Sequence, residues 1–245
     1  IKQVVPHTSS SDESVLMVTT FANKILAARG EKIWSTASTS IKRGSTNAIA
    51  SGTAMTGSGV ITVDSTAGFS SSGTIQINDE QFTYTGVTTT TFTGVTRAVN
   101  FTTAAIHLAS SDSSRTVVSE SWTVRDTGRT SAGKYSFERF NFDGSDKILL
   151  VDGTNAPVVF NTSVAATDVS ESAVAGASIA VSFREHMFYA GMSATPQEVV
   201  FSVPFNEDDF QAGQGAGSFK VDDTIVGLKV FRDGLFVFCE NRIFK

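Results

Sequence analysis

The order of apolar and polar positions recurs in four stretches of the chain. Each stretch has a Phe, a polar turn, about four apolar-leaning residues, a second polar turn and an apolar pair. The clearest copies are residues 21–34 and 231–244, a third begins at Phe183, and a looser fourth begins at Phe142. Short apolar runs between tight polar turns predict strand, turn, strand, turn, strand in each copy.

The first copy also admits a helical interpretation. Four of its residues, together with Val18 just before it, lie at the spacing of one helical face: Phe21, Ala22, Ile25 and Ala28. The last copy, however, has Asp233 and Gly234 at the aligned turn, and Gly in particular is unfavourable inside a helix. We therefore expect strands in both copies.

The run after the first turn is almost entirely apolar. In the last copy it reads Leu235-Phe236-Val237-Phe238, without the alternation of a strand that has one side in solvent. We expect these four residues to form an inner strand that is packed on both faces.

The spacing of the copies indicates an architecture. Their equivalent positions are Ile25, Ile148, Met187 and Leu235, which are 123, 39 and 48 residues apart. Repeats of roughly 40–50 residues are typical of β-propeller blades. The long first separation equals one such repeat plus about 75 residues, which predicts an inserted domain.

Composition locates this insertion. Residues 51–96 are rich in Ser and Thr and contain three charged residues, and no Lys or Arg occurs between Arg43 and Arg97. Within this stretch, residues 60–63, 74–77 and 81–85 alternate with period two between Gly-rich turns, which predicts a small antiparallel β module.

The expected fold class is therefore all-β, with β-propeller-like blades and a small antiparallel β domain inserted between them. We expect residues 1–44 to form the first blade, residues 45–115 the inserted module and residues 116–245 the further blades. The last copy is incomplete at its end, so we expect a longer native chain or blades completed by other segments.

Charge and cysteine content exclude some classes of protein. The 245 residues are 40% hydrophobic and 18% charged, which is enough for a substantial core. A net charge of −5 leaves no basic footprint for sequence-specific nucleic-acid binding. One cysteine, Cys239, excludes a disulfide framework and a zinc site built from cysteines. No apolar run approaches the roughly 20 residues of a membrane span.

No residue is nominated as catalytic, cofactor-binding or metal-binding, and an enzyme is not expected. The three histidines, His7, His107 and His186, are far apart, and His186 is expected to be an exposed turn residue. The acidic clusters 207–209 and 222–223 lack the spacing of a calcium loop and are expected to be solvated.

Two further features are interpreted as structural. The segment 213–217, Gly-Gln-Gly-Ala-Gly, has no βαβ context for a dinucleotide loop and is expected to be a flexible loop. Cys239 has no His near it in sequence and is expected to be a partly buried, inert thiol. No cofactor is expected.

Two groups of segments resemble proteins of bacteriophage tails. The inserted module resembles a small β module of tailed-bacteriophage virion proteins, and the matching segments are residues 60–69, 73–77, 82–86, 91–97 and 102–107. The later repeats resemble those of tail nozzle (tail tubular) proteins, and the matching segments are residues 188–191, 198–202, 208–210, 225–228 and 235–238. The matching segments lie between residues 60 and 238.

The resemblance implies a structural virion component at the distal tail. Nozzle proteins assemble as a ring, usually of six copies, that continues the DNA conduit and closes it before DNA ejection. The implied partners are further copies of the chain, other tail proteins such as the adaptor and fibres, and genomic DNA in transit, without stable membrane insertion. The family has no catalytic motif to transfer to this chain.

A second function remains open, namely a propeller or lectin-like virion module that binds a glycan on the host surface. Such a site would use exposed Trp and Tyr rings, which stack on sugar faces. The only such residues are Trp34, Trp122, Tyr84, Tyr135 and Tyr189, and most lie in predicted strands. A glycan hydrolase is a third alternative, for which no residues are found.

Overall fold

The protein belongs to the all-β class. The computed structural model describes residues 5, 14–37, 59–63, 65–77, 79–105, 107, 118–120, 122–131 and 133–245. Strands account for 49% of the described residues, which include no α-helix. Residues 1–124 and 125–245 form two compact units.

The strands of the first unit are short and are joined mostly by turns. In chain order they are β1 (Val15–Phe21), β2 (Lys24–Arg29), β3 (Lys32–Ala37), β4 (Gly59–Thr62), β5 (Gly73–Ile77), β6 (Glu80–Tyr84), β7 (Gly86–Val87), β8 (Thr91–Val95), β9 (Val118–Glu120) and β10 (Thr123–Asp126). The last of these crosses the boundary between the units.

The second unit continues with strands of similar length. They are β11 (Ser136–Phe140), β12 (Lys147–Val151), β13 (Val158–Phe160), β14 (Ala166–Asp168), β15 (Ile179–Phe183), β16 (His186–Ala190), β17 (Glu198–Phe201), β18 (Gly217–Lys220), β19 (Ile225–Phe231), β20 (Gly234–Cys239) and β21 (Ile243–Phe244). Two 3₁₀ turns, Ser172–Val174 and Ala212–Gln214, lie between them.

Four antiparallel sheets carry the sequence repeat. Sheet 1 has the order β1-β2-β3-β10, sheet 2 is β11-β12-β13-β14, sheet 3 is β15-β16-β17-β18 and sheet 4 is β19-β20-β21. In sheets 2 to 4 the spatial order equals the chain order, because each strand turns back beside the one before it. Sheet 1 differs, since its fourth strand follows the third only after the Ser/Thr-rich stretch.

Hairpin register confirms the strand interpretation. The pairs that close the first turn are Phe21 with Lys24, Phe183 with His186 and Phe231 with Gly234. In the first copy the two turn residues, Ala22 and Asn23, have φ of 48° and 58°. In the third copy Arg184 and Glu185 have φ of 47° and 63°. Two-residue hairpin turns of type I′ require positive φ at both positions.

The prediction that Phe142 ends the first strand of the fourth, looser copy is wrong. Its closing pair is Phe140 with Lys147, and Phe142 lies in the six-residue loop between them. Because this loop is longer than two residues, the Phe that ends the strand comes earlier than the alignment assumed. Ile148 nevertheless occupies the position after the closing pair, as Ile25, Met187 and Leu235 do.

The Ser/Thr-rich stretch folds into two small antiparallel sheets, β4-β8-β7 and β6-β5-β9. They enclose a core of their own, which consists of Ile61, Val63, Ile75, Ile77, Phe82, Tyr84, Phe92 and Val95. Strand β9 pairs with β5, although it lies beyond the predicted border at residue 115. The three-domain division itself stays a prediction.

The prediction that Leu235–Phe238 is packed on both faces is wrong. Val237 is buried, but Phe236 is half-buried and Phe238 is 37% exposed. In β12, by contrast, all four residues from Ile148 to Val151 are buried. The apolar run reflects two apolar faces, but in sheet 4 only one of them is covered by described residues.

Candidate interaction surface

Strand register divides the residues of each second strand into two faces. Leu149 and Val151 of sheet 2 pack in one cluster with Met187 and Tyr189 of sheet 3. One sheet further on, Phe188 and Ala190 of sheet 3 pack in a second cluster with sheet 4. Because successive side chains of a strand point to opposite faces, sheet 3 uses one face for sheet 2 and the other for sheet 4.

Sheet 4 follows the same register. Leu235 and Val237, which are equivalent to Met187 and Tyr189, face sheet 3. Phe236 and Phe238 are therefore equivalent to Phe188 and Ala190, the residues that a following sheet covers. We call this side of sheet 4 the outer face.

Strand pairing assigns further residues to the outer face. Phe238 lies opposite Gly227 and Ile243, and Phe236 lies opposite Lys229. Phe231 lies two residues beyond Lys229 and therefore on the same face. Phe231 and Ile243 are each 61% exposed, which is high for large apolar side chains in a folded chain.

Basic groups surround these rings. The Lys245 amine lies 5.7 Å from the centre of the Phe236 ring, and the Arg232 guanidinium lies 5.4 Å from that of Phe231. The two rings are 6.4 Å apart in an edge-on arrangement. The outer face is therefore apolar at its centre and basic around it, in a chain whose net charge is −5.

A cleft of about 680 Å³ opens beside sheet 4. Its apolar wall includes Phe188, Phe219 and Val221 of sheet 3 and the loop that follows it, together with Val237 and Phe244 of sheet 4. Three charged residues also line it: Arg184, Asp233 and Lys245.

The acidic clusters are not simply solvated, contrary to expectation. Glu207 is buried, and its carboxylate accepts a 2.9 Å hydrogen bond from the Lys147 amine. Asp223 is also buried, and it accepts 2.8 Å bonds from the backbone N–H groups of Thr224 and Asn241. The bond from Asn241 contributes most to lowering the pKa of Asp223, so both carboxylates act as structural anchors.

The two described histidines have separate structural roles. His186 is the first residue of β16 rather than an exposed turn residue, because the turn itself consists of Arg184 and Glu185. Its Nδ1 lies 2.5 Å from the Ser202 carbonyl, which can only accept, so Nδ1 donates. His7 lies outside the described residues.

His107 belongs to a buried ionic cluster that the sequence did not indicate. Its Nε2 is 2.8 Å from Oε2 of Glu80, and the Arg97 guanidinium binds both oxygens of that carboxylate at 2.9 and 2.8 Å. Burial alone would raise the pKa of Glu80, but these bonds and the Ala105 N–H outweigh burial and lower it. The cluster is closed to solvent and holds residues 97–105 and His107 against β6.

Two remaining predictions concern Cys239 and residues 213–217. Cys239 is buried in the core between sheets 3 and 4, and burial raises the pKa of its thiol, so the thiol stays protonated at neutral pH. Residues 213–217 form a 3₁₀ turn followed by the start of β18, with no helix to bind a phosphate.

Searches for other sites in the described residues are negative. No cluster of three or more His, Cys, Asp or Glu side chains could hold a metal ion there. None of the helices described has the length and apolar character to cross a membrane.

The chain matches no protein-family model. No curated protein is significantly similar to it in sequence.

Proposed function

We propose that this protein is a structural component of a bacteriophage tail, where it contributes to the nozzle and its DNA conduit by ring assembly. In this proposal the four repeat sheets act as β-propeller-like blades, the place of the protein is the virion, and no catalytic step is involved. The resemblance of these two groups of segments to tail-protein segments supports the proposal.

One observation carries the assembly role, namely the outer face of sheet 4, which the described residues leave exposed. The equivalent face of sheet 2 packs on sheet 3, and that of sheet 3 packs on sheet 4. Burying one large apolar side chain contributes roughly 1.5–3 kcal/mol, so several such residues together favour association. The outer face thus has the chemistry of an interface between sheets.

The proposed occupant of this face is a further copy of the chain. Contact between the outer face of one copy and a different face of the next is heterologous, and heterologous contacts close into rings when the rotation permits. The basic residues Lys229, Arg232 and Lys245 around the face also favour a partner of negative net charge, as a second copy is.

Passage of DNA is compatible with the composition. Each Lys or Arg contact to phosphate adds salt-sensitive affinity, which would hold the strand in place. The chain has 24 acidic and 19 basic residues, so it has no excess of Lys and Arg that would bind phosphates.

Glycan binding has less support. Both tryptophans are buried, and so are Tyr84 and Tyr189, while Tyr135 is half-buried. No described Trp or Tyr ring therefore offers the exposed platform on which sugars stack.

The experiment is native mass measurement combined with electron microscopy of the purified protein at several concentrations. We expect a ring of several copies and no tight duplex DNA binding at moderate salt. A monomer at all concentrations that binds host polysaccharide tightly would refute the proposed function and favour the glycan-binding alternative.

A further inference from the structure

A small cavity opens between sheet 2 and the loop that follows β17. Its volume is about 290 Å³, at the lower end of the roughly 300–1,000 Å³ that small-molecule sites occupy. One wall consists of residues from β12 to β14 and the residues just after β14, and the other consists of residues 206–208. All of these residues lie in the second compact unit, so the cavity is formed within one unit.

The floor of the cavity is aliphatic. Val159 is 7% exposed and Val169 is 1% exposed, and both belong to the core cluster of sheets 2 and 3. Thr167 pairs with Val159 across the two strands, so its side chain lies on the same face. None of the residues that line the cavity is aromatic, so it lacks the ring on which a sugar would stack.

A buried carboxylate is fixed at the other side of the cavity. Glu207 is 6% exposed, and its Oε1 accepts a 2.9 Å hydrogen bond from the Lys147 amine. Its backbone carbonyl accepts a 2.7 Å bond from the hydroxyl of Tyr189, which is fully buried. Glu207 is thus held at its backbone and at one carboxylate oxygen.

The second carboxylate oxygen of Glu207 is open. Oε2 accepts no hydrogen bond from any residue that the structure describes. Nor is Oε2 sealed in the interior, so in this otherwise buried side chain it faces the cavity that Glu207 lines. An ionised oxygen in such a place favours a cationic donor, because charge-assisted hydrogen bonds are about twice as strong as neutral ones.

The charge around the cavity is negative. Its lining contains the carboxylates of Glu207 and Asp208 but only one cation, Lys147. The Lys147 amine is already shared between Glu207 and Asp143, at 2.9 and 3.3 Å. Burial alone would lower the pKa of Lys147, but the two carboxylates outweigh burial and raise it, so the amine stays charged. A ligand therefore meets one uncompensated negative charge.

The two asparagines of the cavity fix its walls. Oδ1 of Asn161 accepts bonds of 2.9 and 3.1 Å from the backbone N–H groups of Ser163 and Ala165. Oδ1 of Asn206 accepts a 3.3 Å bond from the N–H of Asp208. Because these amide oxygens are occupied, the carboxylates are the charged acceptors that remain for a ligand.

We infer that this cavity binds an aliphatic cation, namely a primary ammonium group on a short alkyl chain. The ammonium group pairs with Glu207 and Asp208, and the alkyl chain lies on Val159 and Val169. Free alkylamines and the lysine side chain of another protein carry the same group. The inference does not depend on the proposed tail function, because none of the cavity residues belongs to the outer face of sheet 4.

The test is a titration of pentylamine into the full 245-residue protein, followed by the methyl resonances of Val159 and Val169. Pentanol has the same chain without the charge and is the matched neutral probe. We expect saturable shifts of both valines with pentylamine and about tenfold weaker binding of pentanol, because only the ammonium pairs with the carboxylates.

Charge-removing variants test the assigned carboxylates. Glu207→Gln keeps an oxygen for Lys147 but removes the charge, and it should weaken pentylamine binding by about tenfold. Asp208→Asn changes an exposed residue and should weaken binding by roughly threefold, so it decides the question if the first variant folds poorly. Glu240→Gln removes the same charge at an exposed position outside the cavity and should leave binding unchanged.

Three results would overturn the inference. They are the absence of saturable shifts at both valines, equal affinity for pentylamine and pentanol, and unchanged affinity in both cavity variants. A lysine blocked at its amino and carboxyl groups separates the two sources of the ammonium group. Tighter binding of blocked lysine than of pentylamine would assign the site to a protein side chain, and the reverse would assign it to a free amine.

Discussion

At the scale of single residues, Glu80 is the clearest case of a side chain that is held by buried hydrogen bonds. The carboxylate is buried and accepts bonds from Arg97, His107 and two backbone N–H groups. A satisfied network of this kind is stable as a whole but costly to break, because the groups left behind stay buried without partners.

Replacing Glu80 by Gln should lower the free energy of unfolding by about 3 kcal/mol, because it leaves the Arg97 charge buried without its counter-ion. The pKa of Glu80 is lowered from its ordinary value of 4.5, so its contribution is present above that pH and is lost as the pH falls through the lowered pKa. Denaturant titrations between pH 3 and pH 7 measure both effects. The control Asp79→Asn changes an exposed neighbouring carboxylate and should change stability little.

A hairpin residue gives a prediction of opposite sign. Glu185 has a φ of 63°, a conformation that costs an ordinary residue about 1 kcal/mol and a glycine very little. Glu185→Gly should therefore raise the free energy of unfolding by up to about 1 kcal/mol. The same change at Glu198, inside β17, should lower it, and a loss of stability at both positions in denaturant titrations would contradict the turn assignment.

At the scale of elements, strand register decides what a side chain does. The apolar run predicted a strand in every copy, and this is confirmed. The prediction succeeds because a Phe, a polar turn and an apolar run are adjacent in sequence and together form one hairpin. Burial of its second face could not be predicted, since burial depends on the neighbouring sheet and a strand carries no information about that neighbour. The same reason explains why Val151 and Phe238, which hold equivalent positions in nearly continuous apolar runs, differ in burial.

The difference in burial predicts a difference in energetic cost. Leu150→Ala should destabilise the protein by about 2–5 kcal/mol, because the side chain is fully buried and a cavity remains. Phe238→Ala should cost less than about 1 kcal/mol in the isolated chain, because its side chain already contacts solvent. Equal costs in denaturant titrations would show that the outer face is covered in solution.

At the scale of the whole molecule, the sequence predicted the all-β class and the strand assignments of the repeat. It could not predict the Glu80 cluster, because Glu80, Arg97 and His107 lie 10 to 27 residues apart in sequence and at no recognisable spacing. It also could not predict the outer face or the cleft, which arise from the position of each sheet relative to the next.

The inserted module is testable at this scale. Because its core contains only residues between Ile61 and Val95, removing residues 45–120 and joining the ends should leave a protein that melts cooperatively. The cut includes β9, which pairs with β5, and keeps β10, which belongs to sheet 1. Loss of the β signal in circular dichroism after the deletion would show that the module is required for folding of the sheets.

The most direct test of the account is to measure the mass of the assembly that the Phe238→Glu variant forms. A carboxylate at the centre of the outer face would be desolvated in any contact there, so assembly should fall at least tenfold at a fixed concentration. Phe205→Glu is the matched control, because Phe205 is an exposed loop residue and the change in charge is the same. We predict rings for the wild-type protein and the control and monomers for Phe238→Glu. Rings of unchanged mass and stability for Phe238→Glu would contradict the assignment of the outer face as the assembly interface.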